Sequence, residues 1–333
     1  MARAWCLKAR PKGMPTMDNF ELKDVASEPL KDGEIRVRNE WLSVDPYMRG
    51  RMNDVKSYVP PFQIGEPLQG GAVGTVIESR IEGYAVGDAV MHMQGWRAES
   101  VVDVANGGPM GANKLPATGL PVQTFLHNLG LTGATGYFGL LHTAAAKEGD
   151  IVFVSAAGGA VGSAVVQIAK AKGMTVIGSA GGAEKCAWVR ELGADACIDY
   201  KAGPVLPQLA AAAPKGIDVY FDNVGGEHLD AAYAVARNNA RFAICGMIDA
   251  YNDGKPLELK FFIRSISARI RTEGFLFTDY AAHMGEFLAE AGAMIAAGKL
   301  KARETVFEGL ERTPEAFLGL FSGANTGKML VRL

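Results

Sequence analysis

The sequence lacks what would tie it to a membrane, a nucleic acid, a disulfide framework or a metal. No stretch approaches the ~18 uncharged apolar residues of a membrane span, and Met1–Lys12 alternates apolar and basic residues without the apolar centre of a signal peptide. Thirty-four Lys and Arg against 36 Asp and Glu leave a net charge of −2, which offers neither nucleic acid nor an anionic membrane an electrostatic footprint. The four cysteines, Cys6, Cys186, Cys197 and Cys245, are scattered and form no CxxC pair. That suits the reduced thiols of a cytoplasmic protein better than a disulfide scaffold or a zinc knot. The five histidines, His92, His127, His142, His228 and His283, fall into no HxxxH, HExxH or Cys/His ligand spacing, so no metal is expected.

What is present is length, glycine and two textures. A chain of 333 residues suits two domains rather than one core. Its first third reads as short strands and turns: Glu34–Asn39 alternates, Gly70–Glu78 is rich in Gly and Val, and Ala89–Met93 follows a turn at Gly83–Asp88. Strands at that density suggest a compact β-barrel. Beyond Thr124, helical spacing in Phe125–His142 and Ser163–Lys172 alternates with short apolar runs at Ile151–Ser155, Thr175–Gly178, Ala196–Asp199, Val219–Asp222 and Arg241–Cys245. That alternation predicts βαβ units and a doubly wound parallel sheet. After about Lys301 the pattern stops, and the tail is expected to return to the N-terminal domain.

Ile151–Ser155 runs into Ala156-Ala-Gly-Gly-Ala-Val-Gly162 and then a helix. This is an A-x-G-x-x-G dinucleotide fingerprint with Ala157 at the usual first glycine; Gly159 admits the pyrophosphate and Gly162 lets helix and strand approach. Ala160 and Val161 open the helix, whose free N–H groups face the phosphates. NAD enzymes carry an acid about 20 residues beyond, on the ribose 2′-hydroxyl; here Gly178–Ala183 has none, and Lys185 follows Glu184. An ammonium without a carboxylate suits a 2′-phosphate, to which Tyr200 can add a hydroxyl, so the expected cofactor is NADP(H). Without a metal, nothing obvious polarises an alcohol or ketone. An alkene conjugated to a carbonyl, which accepts hydride at its β-carbon and leaves a delocalised enolate, fits better.

The segments Val44–Met52, Leu131–Leu140, Ala156–Gly162, Gly182–Cys186, Tyr220–Gly226, Cys245–Asn252 and Gly323–Lys328 resemble, from end to end, the zinc-independent medium-chain dehydrogenase/reductases. The resemblance is to the alkenal and prostaglandin reductase group, and within it to bacterial curcumin reductases through Gly50–Asp54, Ser57–Pro61 and Gly181–Cys186. It implies a Rossmann NADP-binding domain over 127–301 and a GroES-like catalytic β-barrel domain over 1–126 and 302–333. It further implies that Asn223, Cys245, Gly246, Tyr251, Phe275, Leu276, Phe277 and Asn325 line the cofactor. Tyr251 is the first candidate to hydrogen-bond the substrate carbonyl, with Tyr47 and Tyr58 behind it. The implied activity is NADPH-dependent reduction of the C=C bond of α,β-unsaturated ketones and aldehydes, by a homodimer. A quinone reductase and a non-catalytic NADPH-binding protein are the alternatives. Loops Val55–Phe62 and Asp253–Ile263 are expected to choose the substrate. Gly136, where relatives usually have Ala, is expected to loosen a hinge or widen the cleft.

Overall fold

The computed structural model describes residues 2–108, 111–252, 254 and 256–333. They group into two compact units: Met1–Leu126 with Glu304–Asn325 and Met329–Leu333, and His127–Arg303 with Thr326–Lys328.

The first unit opens with an antiparallel pair, β1 (Ala2–Leu7) and β2 (Phe20–Val25). It continues through β3 (Glu34–Ser43), the single-turn helix α1 (Met48–Arg51), β4 (Ala72–Ser79), β5 (Ala89–His92), β6 (Glu99–Asp103) and β7 (Asn113–Lys114). The strand noted at Glu34–Asn39 carries on to Ser43 past a register shift at Asn39/Trp41, and β3 is a central strand paired with β4 on one side and, over Glu34–Arg38, with β6 on the other. Its core joins Trp5, Leu7, Met48, Met52, Phe62 and Leu68 to an aromatic group in which Trp96 stacks on Phe20 and meets the edge of Phe317. Met48 and Met52, four apart and fully buried, fix one face of α1 and hold Tyr47 at its start.

A closed polar network lies beside this core. Gln94 N–H donates to His92 Nδ1 at 3.0 Å, His92 Nε2–H to Asn39 Oδ1 at 2.9 Å, and Asn39 Nδ2 to Ser100 Oγ at 2.9 Å. Burial pushes the His92 imidazole down to about 3. The unfolded chain therefore takes this proton near pH 6.5 and the folded chain only near 3. Between those values the unfolded state binds more protons, so stability rises with pH and is lost on acidification. Unfolding free energy should fall by about 1.4 kcal/mol for each pH unit crossed there. Urea midpoints measured against pH should show the slope, and His92→Gln should flatten it; a variant with the same slope as the parent would count against this network.

The second unit runs through α2 (Leu131–Phe138), β8 (Ile151–Val154), α3 (Ala160–Ala171), β9 (Thr175–Ala180), α4 (Ala183–Glu191), β10 (Ala196–Asp199) and α5 (Val205–Ala212). It continues through β11 (Ile217–Asp222), α6 (Gly226–Val235), β12 (Ala236–Ile244), α7 (Arg264–Ser267), β13 (Arg271–Gly274) and α8 (Met284–Ala296). Its six strands are parallel and ordered β10-β9-β8-β11-β12-β13, a doubly wound sheet whose order reverses between β8 and β11. Strands covered on both faces read as continuous apolar runs, which is why β8 and β11 stood out in the sequence.

The expected helix Phe125–His142 is broken. A 3-10 turn at Val122–Leu126 stops before Gly130, α2 starts at Leu131, and a π-helix over Gly139–Thr143 ends the segment. Gly133 explains part of the break, since a Cβ there would sit 2.2 Å from the Asn128 carbonyl oxygen. Gly136 sets the close packing of α2 on α3 inside the second unit, since a Cβ on it would lie 3.2 Å from Val165.

The chain then returns through β14 (Glu304–Glu308) and α9 (Thr313–Ser322), with Pro314 in its first turn and Gly323 in the left-handed conformation after its end. It finishes in β15 (Lys328–Arg332). The larger sheet of the first unit is thereby ordered β14-β15-β3-β4-β5-β7, with β6 on β3.

Candidate active site

At the carboxyl ends of β8 and β11, where a doubly wound sheet offers its crevice, backbone hydrogen bonds hold the glycine turn. Ala157 N–H donates to Ser179 O at 2.8 Å and Gly159 N–H to Ala156 O at 2.9 Å. A Cβ on Gly162 would fall 2.3 Å from Ala156 O and 2.8 Å from Ala157 Cα, so only glycine allows α3 to start so close to β8. Ala157, the unusual first residue of the fingerprint, is fully buried and finds its space opposite Gly178 of β9, where a Cβ would come within 2.9 Å of the Ala157 methyl. Sequence reasoning noticed the alanine and missed its partner.

The stem of Lys185 packs on the turn, with its Cβ 3.6 Å from the place a Gly158 Cβ would take. Its pKa is lowered by burial and then by the neighbouring ammonium of Lys201, with Glu184 acting the other way. Lys201 was missed in the sequence; the signal was its position directly after Tyr200 at the end of β10. Gly181 receives both, since a Cβ there would meet the Tyr200 hydroxyl at 2.6 Å and Lys201 Cε at 3.0 Å. The nearby carboxylates are committed elsewhere: Glu184 faces Arg303 Nη2 at 3.3 Å, and Asp199 accepts the backbone N–H groups of Gly182 and Lys201. Two ammonium groups, a phenol and a glycine-only helix start fit the 2′-phosphate and pyrophosphate of NADP.

Asn223 closes the crevice at the sheet's midline, donating from Nδ2 to Ser155 O at 2.8 Å and from its backbone to Ser155 Oγ at 2.9 Å. Behind it lies Asp222, which sequence reasoning left unassigned. Its Oδ1 accepts from the Tyr220 hydroxyl at 2.6 Å and from the backbone of Val224 and Gly225, while its buried Oδ2 has no partner. Burial raises the Asp222 pKa against those four donors, Ser155 being the fourth. The Asp222 carbonyl in turn accepts the N–H groups of Cys245 and Gly246. Gly246 lets Tyr251 come close: a Cβ there would lie 2.8 Å from the Tyr251 hydroxyl, which itself accepts the Met247 N–H at 3.3 Å.

Tyr251 follows a 3-10 turn over Ile248–Ala250. Lys255, four residues beyond it, and Asp253 in the expected specificity loop lie outside the described residues. Phe275 meets Phe221 edge to face at 6.1 Å, over Gly139, where any Cβ would strike both rings. Leu276 and Phe277 follow, half-buried. Asn325 belongs to the first unit, whereas Gly327 belongs to the second and donates its N–H to Gly158 O at 2.7 Å.

In the first unit, Tyr47 and Tyr58 differ sharply. Tyr58 is 63% exposed, whereas the Tyr47 hydroxyl is buried with no hydrogen-bond partner. Burial, helped by Asp45, raises the Tyr47 pKa far above that of a free phenol, so it stays a proton donor. Among the described residues no group of three His, Cys, Asp or Glu could hold a metal. A cavity of about 620 Å³ at the amino ends of β11 and β12 lies at the opposite end of the sheet from the glycine turn. Its Arg264 donates to the last carbonyls of α6, a role complete in itself.

Comparison with known proteins agrees with this architecture. Residues 3–108 match the family described as the N-terminal domain of oxidoreductase, and 160–291 the zinc-binding dehydrogenase family. The chain is 40% identical to an NADPH-dependent curcumin reductase of Escherichia coli, covering 99% of this chain and 96% of the relative. It is 38% identical to mouse prostaglandin reductase 1, covering 99% of each. The crystal structure of CurA from Vibrio vulnificus in complex with NADPH matches with a TM-score of 0.93 at 40% identity, over 99% of each chain. The chain belongs to the zinc-independent medium-chain dehydrogenase/reductases, in the group of the curcumin and prostaglandin reductases.

Proposed function

We propose that this protein is an NADPH-dependent oxidoreductase that reduces the C=C bond of α,β-unsaturated ketones and aldehydes. The observation that carries the reading is full-length similarity to curcumin and prostaglandin reductases, joined to the two ammonium groups of Lys185 and Lys201 beside the glycine turn. When bound, the cofactor supplies a hydride for the substrate's β-carbon; solvent protonates the α-carbon. The chain's own residues have three tasks. Gly159, Ala160, Val161 and Gly162 seat the pyrophosphate, and Lys185, Tyr200 and Lys201 hold the 2′-phosphate. Asn223, Cys245, Gly246, Tyr251, Phe275, Leu276, Phe277 and Asn325 line the remainder and orient the nicotinamide. Tyr47, Tyr251 and Tyr58 offer phenols to the substrate oxygen, and Tyr47 takes first place because its hydroxyl has no partner of its own. In this reading 1–126 and 302–333 form the catalytic domain and 127–301 the NADP-binding domain.

Loss of absorbance at the nicotinamide band with enones, enals and curcuminoids, run beside quinones, tests the assignment. Turnover of quinones alone would give the quinone-reductase reading, and tight NADPH binding without any turnover the non-catalytic one. Tyr47→Phe should lower kcat by roughly 100- to 1,000-fold, as loss of one oxyanion donor does, with NADPH affinity unchanged; equal kcat would return first place to Tyr251.

The cytoplasm is the expected compartment. No described helix is long and apolar enough to cross a membrane, and all four cysteines are free. A homodimer is part of the proposal. Strand β13 is exposed along its length at the sheet edge, close in sequence to the exposed Phe262, Ile263 and Ile266. Such an edge invites pairing with a second copy. Sedimentation of Ile263→Asp with Ile266→Asp should shift the species from dimer to monomer; a parent that sediments as a monomer would refute this part.

A further inference from the structure

Among the described residues of the first unit Arg36, Arg49 and Arg51 are buried, and of these Arg51 stands four residues after Tyr47. It closes α1 with a residue exposure of 6%. Nε donates to Pro60 O at 2.9 Å, Nη2 donates to Gln69 Oε1 at 2.7 Å, and the guanidinium carbon lies 4.1 Å from the centre of the Phe62 ring. All these partners are neutral, and among the described residues no carboxylate forms an ion pair with it. Buried charges are normally paired, because removing an ion from water costs several kcal/mol. Burial indeed lowers the Arg51 pKa, and the groups that act the other way are two phenols, Tyr47 and Tyr58.

The sequence spacing makes the arrangement specific. Tyr47 and Arg51 stand four residues apart around one turn, the separation that places side chains on one face. The hydroxyl of the first is buried without a partner, and the charge of the second is buried without a counter-ion. Gln69 is one of the groups that fixes the guanidinium. The unit therefore contains a cation and a proton donor, neither balanced internally, and both answered by the same missing charge: an anionic oxygen.

We propose that Arg51 is a positioning residue for enone reduction, its uncompensated charge strengthening the Tyr47 phenol as donor to the oxygen that becomes the enolate. Pro60, Gln69 and Phe62 hold the guanidinium in place, so it is pre-organised rather than recruited. Hydride arrives at the β-carbon, the electron pair of the C=C bond moves toward the carbonyl oxygen, and Tyr47 donates a hydrogen bond there while solvent protonates the α-carbon. No proton leaves Arg51.

The inference rests on the enone reading, and two measurements separate their failures. In the first, kcat and KM are compared for Arg51→Gln, Arg51→Lys, Tyr47→Phe and the double variant Arg51→Gln/Tyr47→Phe, with NADPH fluorescence quenching as the check on folding. Arg51→Gln should lower kcat by about tenfold or more with little change in KM. Arg51→Lys, which keeps the charge but loses the fork, should recover most of it. The double variant should be no slower than Tyr47→Phe, since coupled residues are not additive. If Gln equals or exceeds Lys, or if the effects add, the role is structural and the proposal is overturned.

The second measurement needs no turnover. 4-Nitrophenol, whose phenolate mimics an enolate oxygen, is added to the NADP⁺ complex at a pH below its aqueous pKa, and its absorption band reports the bound form. The phenolate should bind to the parent and to Arg51→Lys and give way to the neutral phenol in Arg51→Gln. An Arg51-dependent phenolate in a protein that reduces no enone would sink the enone reading and leave the anion site standing. Enone turnover with no bound phenolate in the parent would sink the Arg51 proposal.

Discussion

Replacing Gly162 with valine is expected to remove NADPH binding while leaving the first unit folded. The added Cβ meets the Ala156 oxygen and the Ala157 Cα, both backbone atoms that have no rotamer to change. Helix α3 must then move away from β8, and overpacking of this kind costs about 1–3 kcal/mol even where the surroundings yield. The larger loss is geometric: the free N–H groups at the start of α3 no longer converge on the pyrophosphate. NADPH titration followed through Trp188, the single tryptophan of the second unit, should show a dissociation constant raised by about 100-fold or more. Gly159→Ala makes a graded comparison, since its Cβ would meet only Ala156 O, at 3.3 Å. Near-parental affinity in Gly162→Val would mean that the phosphates are held somewhere other than this turn.

Reversing one charge should invert the choice of nicotinamide. Lys185→Glu places a carboxylate against Lys201 where two ammonium groups now repel each other. A charge-assisted hydrogen bond contributes about 1.5–3 kcal/mol, and a carboxylate adds repulsion to its loss. The ratio of NADH to NADPH dissociation constants should therefore fall by about 100-fold or more. Lys201→Ala should move the ratio in the same direction by less. The parental preference should also weaken with salt, as exposed charge pairs do. A ratio unchanged in Lys185→Glu would remove Lys185 from the 2′-phosphate site.

The fold was legible in the sequence because each unit repeats one period. Buried parallel strands made apolar runs at Ile151, Val219 and Ala196, and the fingerprint stood where a strand met a helix. Boundaries failed where a third element intervened: β12 begins at Ala236, five residues before the expected Arg241, because its first residues pair irregularly across from Ile217 and Val219. The glycine turn and Lys185 were readable, since their signals are local. Gly178, Lys201, Asp222 and Arg51 were not. Each matters through a partner distant in sequence or through a partner it lacks, and neither kind of fact leaves a spacing behind.

The bond from Gly327 N–H to Gly158 O has a kinetic consequence. The glycine turn of the second unit is completed by residues from the opposite end of that unit's sequence, after the chain has passed through β14 and α9. Local helices and neighbouring βα pairs can form early, but this closure carries the entropy of a very long loop. Cofactor competence is therefore expected late in folding, after the secondary structure that the sequence so readily discloses.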